Sequence, residues 1–205
     1  GGAALFMLEP EIDSGLDGTL AKWGIALSYE RVEDPARHYW TDPATPAVSE
    51  YTRHRVTRRL PLTFFPGVAE LLPRPVADSR DVHIVPLIET SAGAHLSAPE
   101  DELQRTRTLA LLAKDSNSGA RIAVLGDGDF ATNSFFSALG NGRLFLNLIS
   151  ELALAEQIMD IAPREYLLAS LKLDNQALRV TFMLTTILGP LALLALGLWV
   201  WWRRH

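Results

Sequence analysis

The stretch Arg121-Ile-Ala-Val-Leu125, followed at once by Gly126-Asp127-Gly128-Asp129-Phe130, is the part of the chain whose reading decides the fold. Four apolar residues in a row, closed by two glycines, make a strand that runs into a tight turn. Upstream, Leu109–Ala113 reads as a second strand, joined to the first across Asp115-Ser-Asn-Ser-Gly119 by a hairpin or tight connection. A helix starting within Pro99–Thr108 and running into Leu112 fits the same residues, and local pattern leaves the two open. Downstream, Asn141–Ala155 places Leu144, Leu148, Leu152 and Ala155 on one side of an amphipathic helix.

Further outward, Ala3–Leu8, Ile25–Val32, Leu60–Phe65, Val82–Ile88 and Leu167–Leu173 read as strands. Leu16–Trp23 is a short helix with Leu16, Leu20 and Trp23 on one face and Gly24 as its C-cap. Gly67–Leu72 reads as a helical turn, and residues 35–52 and Thr90–Asp101 read as loops. Strands alternating with helices predict an α/β fold, an open and mostly parallel sheet with flanking helices.

The chain has 205 residues, 48% of them apolar, and no cysteine. That length buries a real core. The missing cysteine excludes disulfides, thiolate metal sites and a thiol nucleophile. A net charge of −5 argues against nucleic acid as a partner. The averages hide a division. Every acidic residue precedes Val180, and Val180–Trp202 is 23 residues without a charge. At about 1.5 Å per residue that stretch crosses a hydrocarbon core of about 30 Å. Trp199, Trp201 and Trp202 stand where an aromatic belt belongs, followed by Arg203 and Arg204. Gly189-Pro190 falls mid-span, where a kink is expected.

The expected organisation is an extracytoplasmic α/β head over residues 1–173, then a juxtamembrane and transmembrane helix with a short basic tail over 174–205. Residues 180–202 would lie in the bilayer. The paired arginines at the end favour a cytoplasmic C-terminus over the mixed charges Arg164, Glu165, Lys172, Asp174 and Arg179 on the other side. A start two residues before a buried strand, with no basic n-region, reads as a piece of a longer protein.

For chemistry, Asp127 and Asp129 at a strand's carboxyl end are candidates for binding a ligand or divalent cation, or for acid–base work. The structural alternative is a tight turn in which Asp129 bonds backbone amides and Asn133 caps the following segment. Thr90 and Ser91, after strand Val82–Ile88, are a second candidate loop, but no nucleophile elbow or partnered base accompanies the serine. His38, His54, His83, His95 and His205 lack metal-ligand spacing, so no metal or cofactor is expected. No phosphate-binding loop is present, which excludes a nucleotide-hydrolysing subunit. Arg53, His54, Arg55, Arg58 and Arg59 form a basic patch on an acidic head. Such a patch either guards a strand edge or meets an acidic partner or lipid headgroups. Trp23, Tyr39 and Trp40 are stacking candidates for a carbohydrate, or core.

The order of several short motifs resembles the auxiliary components of ABC-2-type transport systems, including the gliding-motility-associated substrate-binding-like family. Gly1-Gly2, a strand ending near Glu9-Pro10, Trp23-Gly24-Ile25, Asp34-Pro35, His54-Arg55-Val56-Thr57, Phe65-Pro66-Gly67, Pro86-Leu87 and Thr90-Ser91 come in that family's sequence. Gly126-Asp127-Gly128-Asp129-Phe130 with Asn133, Gly140-Asn141 leading into Leu144-Phe145-Leu146-Asn147, Ile161-Ala-Pro163-Arg164 and a terminal Trp-Trp-Arg-Arg continue it. Gly128 stands where serine is usual, Arg55 replaces a proline, and a tryptophan common after Thr90-Ser91 is missing. The resemblance implies a non-catalytic, glutamine-amidotransferase-like head on a bacterial inner membrane, facing the periplasm and working with separate permease and ATPase subunits. Here Asp127, Asp129, Asn133, Thr90 and Ser91 would be the ligand-binding positions. The alternative is a membrane-tethered hydrolase or metal-dependent enzyme using Asp127 and Asp129.

Overall fold

The computed structural model describes residues 2–76, 80–98, 103–153 and 182–204. The chain divides into two compact units, Gly1–Ile161 and Ala162–His205.

The first unit is built around a four-stranded sheet. β1 (Ala3–Met7) lies beside β9 (Arg121–Leu125), which lies beside β8 (Thr108–Asp115), which lies beside β6 (Val82–Glu89). Among the described strands only β1 and β9 pair in parallel, with Ala3 opposite Arg121 and Met7 opposite Leu125. β8 runs antiparallel to both β9 and β6. A second sheet places β2 (Ile25–Glu33) between β5 (Ala69–Pro73) and β7 (His95–Leu96), both antiparallel to it. β3 (Ala47–Val48) and β4 (Thr63–Phe64) form a short antiparallel ladder. The helices described in this unit are α1 (Asp17–Ala21) and α2 (Asn141–Leu152), beside a 3-10 turn at Asp129–Ala131.

This corrects the expected α/β class: the head is not an open parallel flavodoxin- or amidotransferase-like sheet but a set of mixed, mostly antiparallel sheets with few helices. Parallel neighbours need long crossovers, usually helical, whereas antiparallel ones close through short turns. The turn between β8 and β9 is of the short kind. Asp115 accepts from the Asn117 amide at 3.0 Å and the Ser118 hydroxyl at 2.6 Å, and Gly119 takes φ +69°. The hairpin reading of this segment is the one realised.

The apolar runs misled because they are buried on both faces. Along β8 and β9, Leu109, Leu112, Ala123 and Leu125 join one apolar cluster, with Phe65, Phe130, Leu144 and Leu148. The intervening Leu111, Ala113, Ile122 and Val124 join the other, with Leu20, Ile25 and Leu71. Two-sided burial normally marks a parallel sheet between helices. Here α2 and the β3–β4 region cover one face, and α1 with β2 and β5 cover the other.

Smaller expectations change as well. Gly67–Leu72 is not a helical turn: Gly67 turns at φ +72° and Ala69 enters β5, which pairs with β2. Leu60–Phe65 contracts to the two residues of β4. β3 and β7 arise inside the expected loops, because two-residue ladders carry no period to read. The strand at Leu167–Leu173, a cap at Asp174, and the boundary between 173 and 174 lie outside the described residues.

In the second unit, Met183–Leu188 is wound as a wide π-helical segment that leads into α3 (Gly189–Arg204). The Gly189 amide donates to the Leu184 carbonyl, five residues back. Pro190 has no amide to donate and its ring crowds the preceding turn, and widening the turn accommodates both. Thr186–Arg204 is 19 residues of mean hydropathy 1.4 with no buried residue, long and apolar enough to cross a membrane. The Arg203 guanidinium lies 5.4 Å from the Trp199 ring centroid.

Candidate functional site

The parallel pairing of β1 and β9 brings their carboxyl ends together. Ladder register continues one step past β1, with the Leu8 amide donating to Leu125 at 2.9 Å. Glu9 then arrives beside the Gly126–Asp129 turn, where its Oε1 accepts from the Gly128 amide at 2.8 Å. Gly126 must be glycine: a Cβ there would stand 2.0 Å from the Ala69 carbonyl oxygen. That close approach lets the Ala69 amide donate to Gly126 at 2.7 Å.

Asp127 is fully buried. Its Oδ1 accepts from the amides of Asp129 at 2.6 Å and Phe130 at 3.3 Å, holding the 3-10 turn. Its Oδ2 has no hydrogen-bond partner among the described residues. Burial, and next the negative charge of Glu9, push its pKa up to about 8, against the two amides that favour the anion. Glu9 is also raised, chiefly by burial, while the Gly128 amide opposes the shift.

Asp129 points the other way. It is exposed and lines a cleft of about 460 Å³ with Glu9, Glu11, Arg31, Asp42 and Pro66. Arg31 pairs with Glu11 at 3.0 Å. A second hollow of about 430 Å³ shares Asp42, Thr45 and Pro66 with the first and is walled by Tyr39, Trp40, Phe64 and Phe135. Tyr39 stacks on Phe64 at 4.2 Å, and Phe135 meets Phe64 edge-on at 5.6 Å. Trp40 is 84% exposed. Glu11 and Trp40 both take φ +61°, a conformation costly for residues with a side chain and often retained at binding sites. The two hollows adjoin at these shared residues, one lined by carboxylates and Arg31 and the other by aromatic rings. Trp23 packs on the apolar cluster beneath α1 instead.

The other expected positions do not line these hollows. Asn133 is exposed in the turns after Ala131 and does not begin a helix; α2 starts later, after Gly140. Ser91 is tied down, its amide and hydroxyl donating to Asp34 at 2.8 and 2.6 Å. Thr90 Oγ1 accepts from the Arg107 amide at 2.9 Å. Both residues therefore brace β6 against buried partners. Among the described residues, no three His, Asp or Glu side chains gather in a metal-binding arrangement.

Sequence reasoning missed the members that depend on pairing. Arg107 and Glu70, 1% and 2% exposed, form a 2.7 Å ion pair, which Arg105 joins through a 2.9 Å hydrogen bond. Asn141 is wholly buried; its side chain accepts from the Phe64 amide at 3.1 Å and donates to the carbonyls of Phe64 at 3.1 Å and Phe130 at 3.3 Å. It thus completes the edge of β4 and fixes the Asp127 turn. Glu9 could have been placed only with the β1–β9 register in hand, since it follows Met7 as Asp127 follows Leu125.

This arrangement of sheets can be set beside known proteins. The fold is similar to that of the mmIFT52 N-terminal domain. The TM-score is 0.58 at 18% identity, over 78% of this chain and 68% of that one. At such identity the likeness concerns the fold alone. No family model matches the chain, and no curated protein matches it.

Proposed function

We propose that this chain is a membrane-anchored, non-catalytic accessory subunit of an ABC-type exporter, holding cargo or a partner in the adjoining hollows lined by Glu9 and Trp40. The observation that carries the reading is the pairing of two features in one chain. One is a folded unit with adjoining acidic and aromatic hollows; the other is a wholly exposed apolar helix at Thr186–Arg204. The ordered motif resemblance supplies the transporter context. It also supplies the bacterial inner membrane, the periplasmic head and the cytoplasmic tail. Ser91 is committed to internal hydrogen bonds and Asp127 is buried with its Oδ1 holding two amides, which favours binding over chemistry.

Purification of the full chain from its native membrane in mild detergent tests this. A permease and an ATPase subunit should accompany it, and recovery of the chain without either would sink the proposal. Trp40→Ala should then reduce transport while leaving the complex assembled.

A hydrolase built on Asp127 and Asp129 draws support from the raised pKa of Asp127, as a general acid requires. Against it, the Asp127 carboxyl is sealed from solvent and is not part of the cleft wall. An activity abolished by Asp127→Asn in a folded protein would restore that reading.

A further inference from the structure

We propose that the loop Tyr51–Leu60 is a binding site for phosphate-class anions. Arg53, His54, Arg55, Thr57, Arg58 and Arg59 are among the residues that line a hollow of about 690 Å³. That volume falls within the range of small-ligand sites. The stretch from Tyr51 to Ala69 contains four arginines and no acidic residue, in a chain of net charge −5.

The simplest alternative, a row of charges guarding a strand edge, does not apply. Residues 51–60 form no strand, with turns at 55–59, and β4 begins only at Thr63. Internal ion pairing does not account for the cluster either. Among the described residues, Arg53, Arg58 and Arg59 have no carboxylate within 4.0 Å, and Arg55 has only Glu151 at 3.9 Å. Four like charges within seven residues repel, and a bound anion is the natural relief.

The loop is also held in shape. The Tyr51 hydroxyl lies 2.6 Å from the carbonyls of both Val48 and Pro61. The Thr57 hydroxyl donates to the Thr52 carbonyl. Asn147 and Arg143, both on α2, donate to the carbonyls of Val56 at 2.7 Å and Arg59 at 3.2 Å. Val56 is buried beneath, and Arg59 is kept at φ +54°. The backbone is therefore anchored from below, while Arg53, Arg55, Arg58 and Arg59 are exposed, and among the described residues only Arg55 of the four meets a carboxylate. The planar five-donor guanidinium suits a phosphate group, which it can bind through two parallel hydrogen bonds. The shared chemistry is a phosphate monoester or diester, carried either by a soluble ligand or by a lipid headgroup.

The test uses the full chain in nanodiscs of phosphatidylcholine. In one arm, inorganic pyrophosphate is titrated calorimetrically. In the other, phosphatidylglycerol is added to the nanodisc and trypsin cleavage after Arg53, Arg55, Arg58 and Arg59 is followed by mass spectrometry. A soluble ligand predicts pyrophosphate binding that weakens with salt; a headgroup predicts protection in the second arm. In either case Arg53→Gln/Arg58→Gln/Arg59→Gln should weaken binding by at least about tenfold, as expected for losing charge-assisted bonds. In the protection arm the same variant should lose the shielding at Arg55, its remaining cleavage site. If the triple variant melts early, Arg53→Gln/Arg58→Gln serves in its place. Absence of binding in both arms, or binding that survives the substitutions, overturns the proposal.

Discussion

Glu9 sits beside Asp127 across the Gly128 amide, which it accepts at 2.8 Å, and its charge adds to burial in raising the Asp127 pKa to about 8. The consequence is a stability that depends on pH. An unfolded aspartate titrates near 3.8, so between about pH 4 and pH 8 the folded chain keeps a proton that the unfolded chain has lost. Stability should fall as pH rises through that window and level off above it. Asp127→Asn retains the Oδ1 acceptor for Asp129 and Phe130 and cannot ionise. It should flatten the profile and exceed the unmodified protein above pH 8 by roughly 2–5 kcal/mol. Urea unfolding across the window checks this, and parallel profiles for the two proteins would refute it.

The ion pair of Arg107 with Glu70 is almost wholly shielded from water. Arg107→Leu leaves the Glu70 carboxylate buried with Arg105 alone, whose side chain is 40% exposed. A loss of about 3–5 kcal/mol is expected. Arg105→Gln, at the edge of the same pair, should cost about 1 kcal/mol or less. Chemical denaturation of the two variants distinguishes them.

Asn141→Ala removes three hydrogen bonds and orphans the Phe64 amide inside the protein. The expected cost is about 2–4 kcal/mol. Hydrogen exchange should report the loss first at Phe64, before any global unfolding.

Gly126→Ala forces a Cβ against the Ala69 carbonyl, which belongs to backbone and cannot swing away. A destabilisation of about 2–4 kcal/mol should follow. Gly119→Ala, with open space around it, should suffer only the strain of its φ of +69°, about 1 kcal/mol. Thermal melts that rank the two the other way would contradict the packing described here.

Ser91→Ala deletes the 2.6 Å bond to Asp34, which keeps its bonds from the amides of Ser91, Ala36 and Arg37. The cost should be about 1 kcal/mol. If the proposed transporter role holds, transport should be unchanged by this variant, since Ser91 braces the loop and does not act as a nucleophile.

How far the residues alone could be read follows from the range of each interaction. The turn at Gly126–Asp129, the strands β1, β2, β6 and β9, the left-handed turn at Gly24 and the apolar stripe of α2 are local features. Each is encoded within a window of five to fifteen residues, by glycine geometry or by periodicity. The 23-residue uncharged stretch from Val180 is likewise legible by counting, because crossing length and hydropathy are sums along the chain.

Strand direction is not local. Leu109–Ala113 and Arg121–Leu125 look the same whether helices or other strands cover them, so the parallel sheet was a fair expectation and the antiparallel one required contacts between distant segments. The candidate site divides in the same way. Position at strand ends marked Asp127 and Asp129 first, and Thr90 and Ser91 second. Tertiary structure buried Asp127, opened Asp129 onto a cleft, and spent Thr90 and Ser91 on Arg107 and Asp34. Residue type along the chain determined what each group can donate, accept or ionise. Which groups meet, and which are shut away from water, was decided only when strands far apart in sequence were paired, because burial and hydrogen bonding depend on neighbours in space.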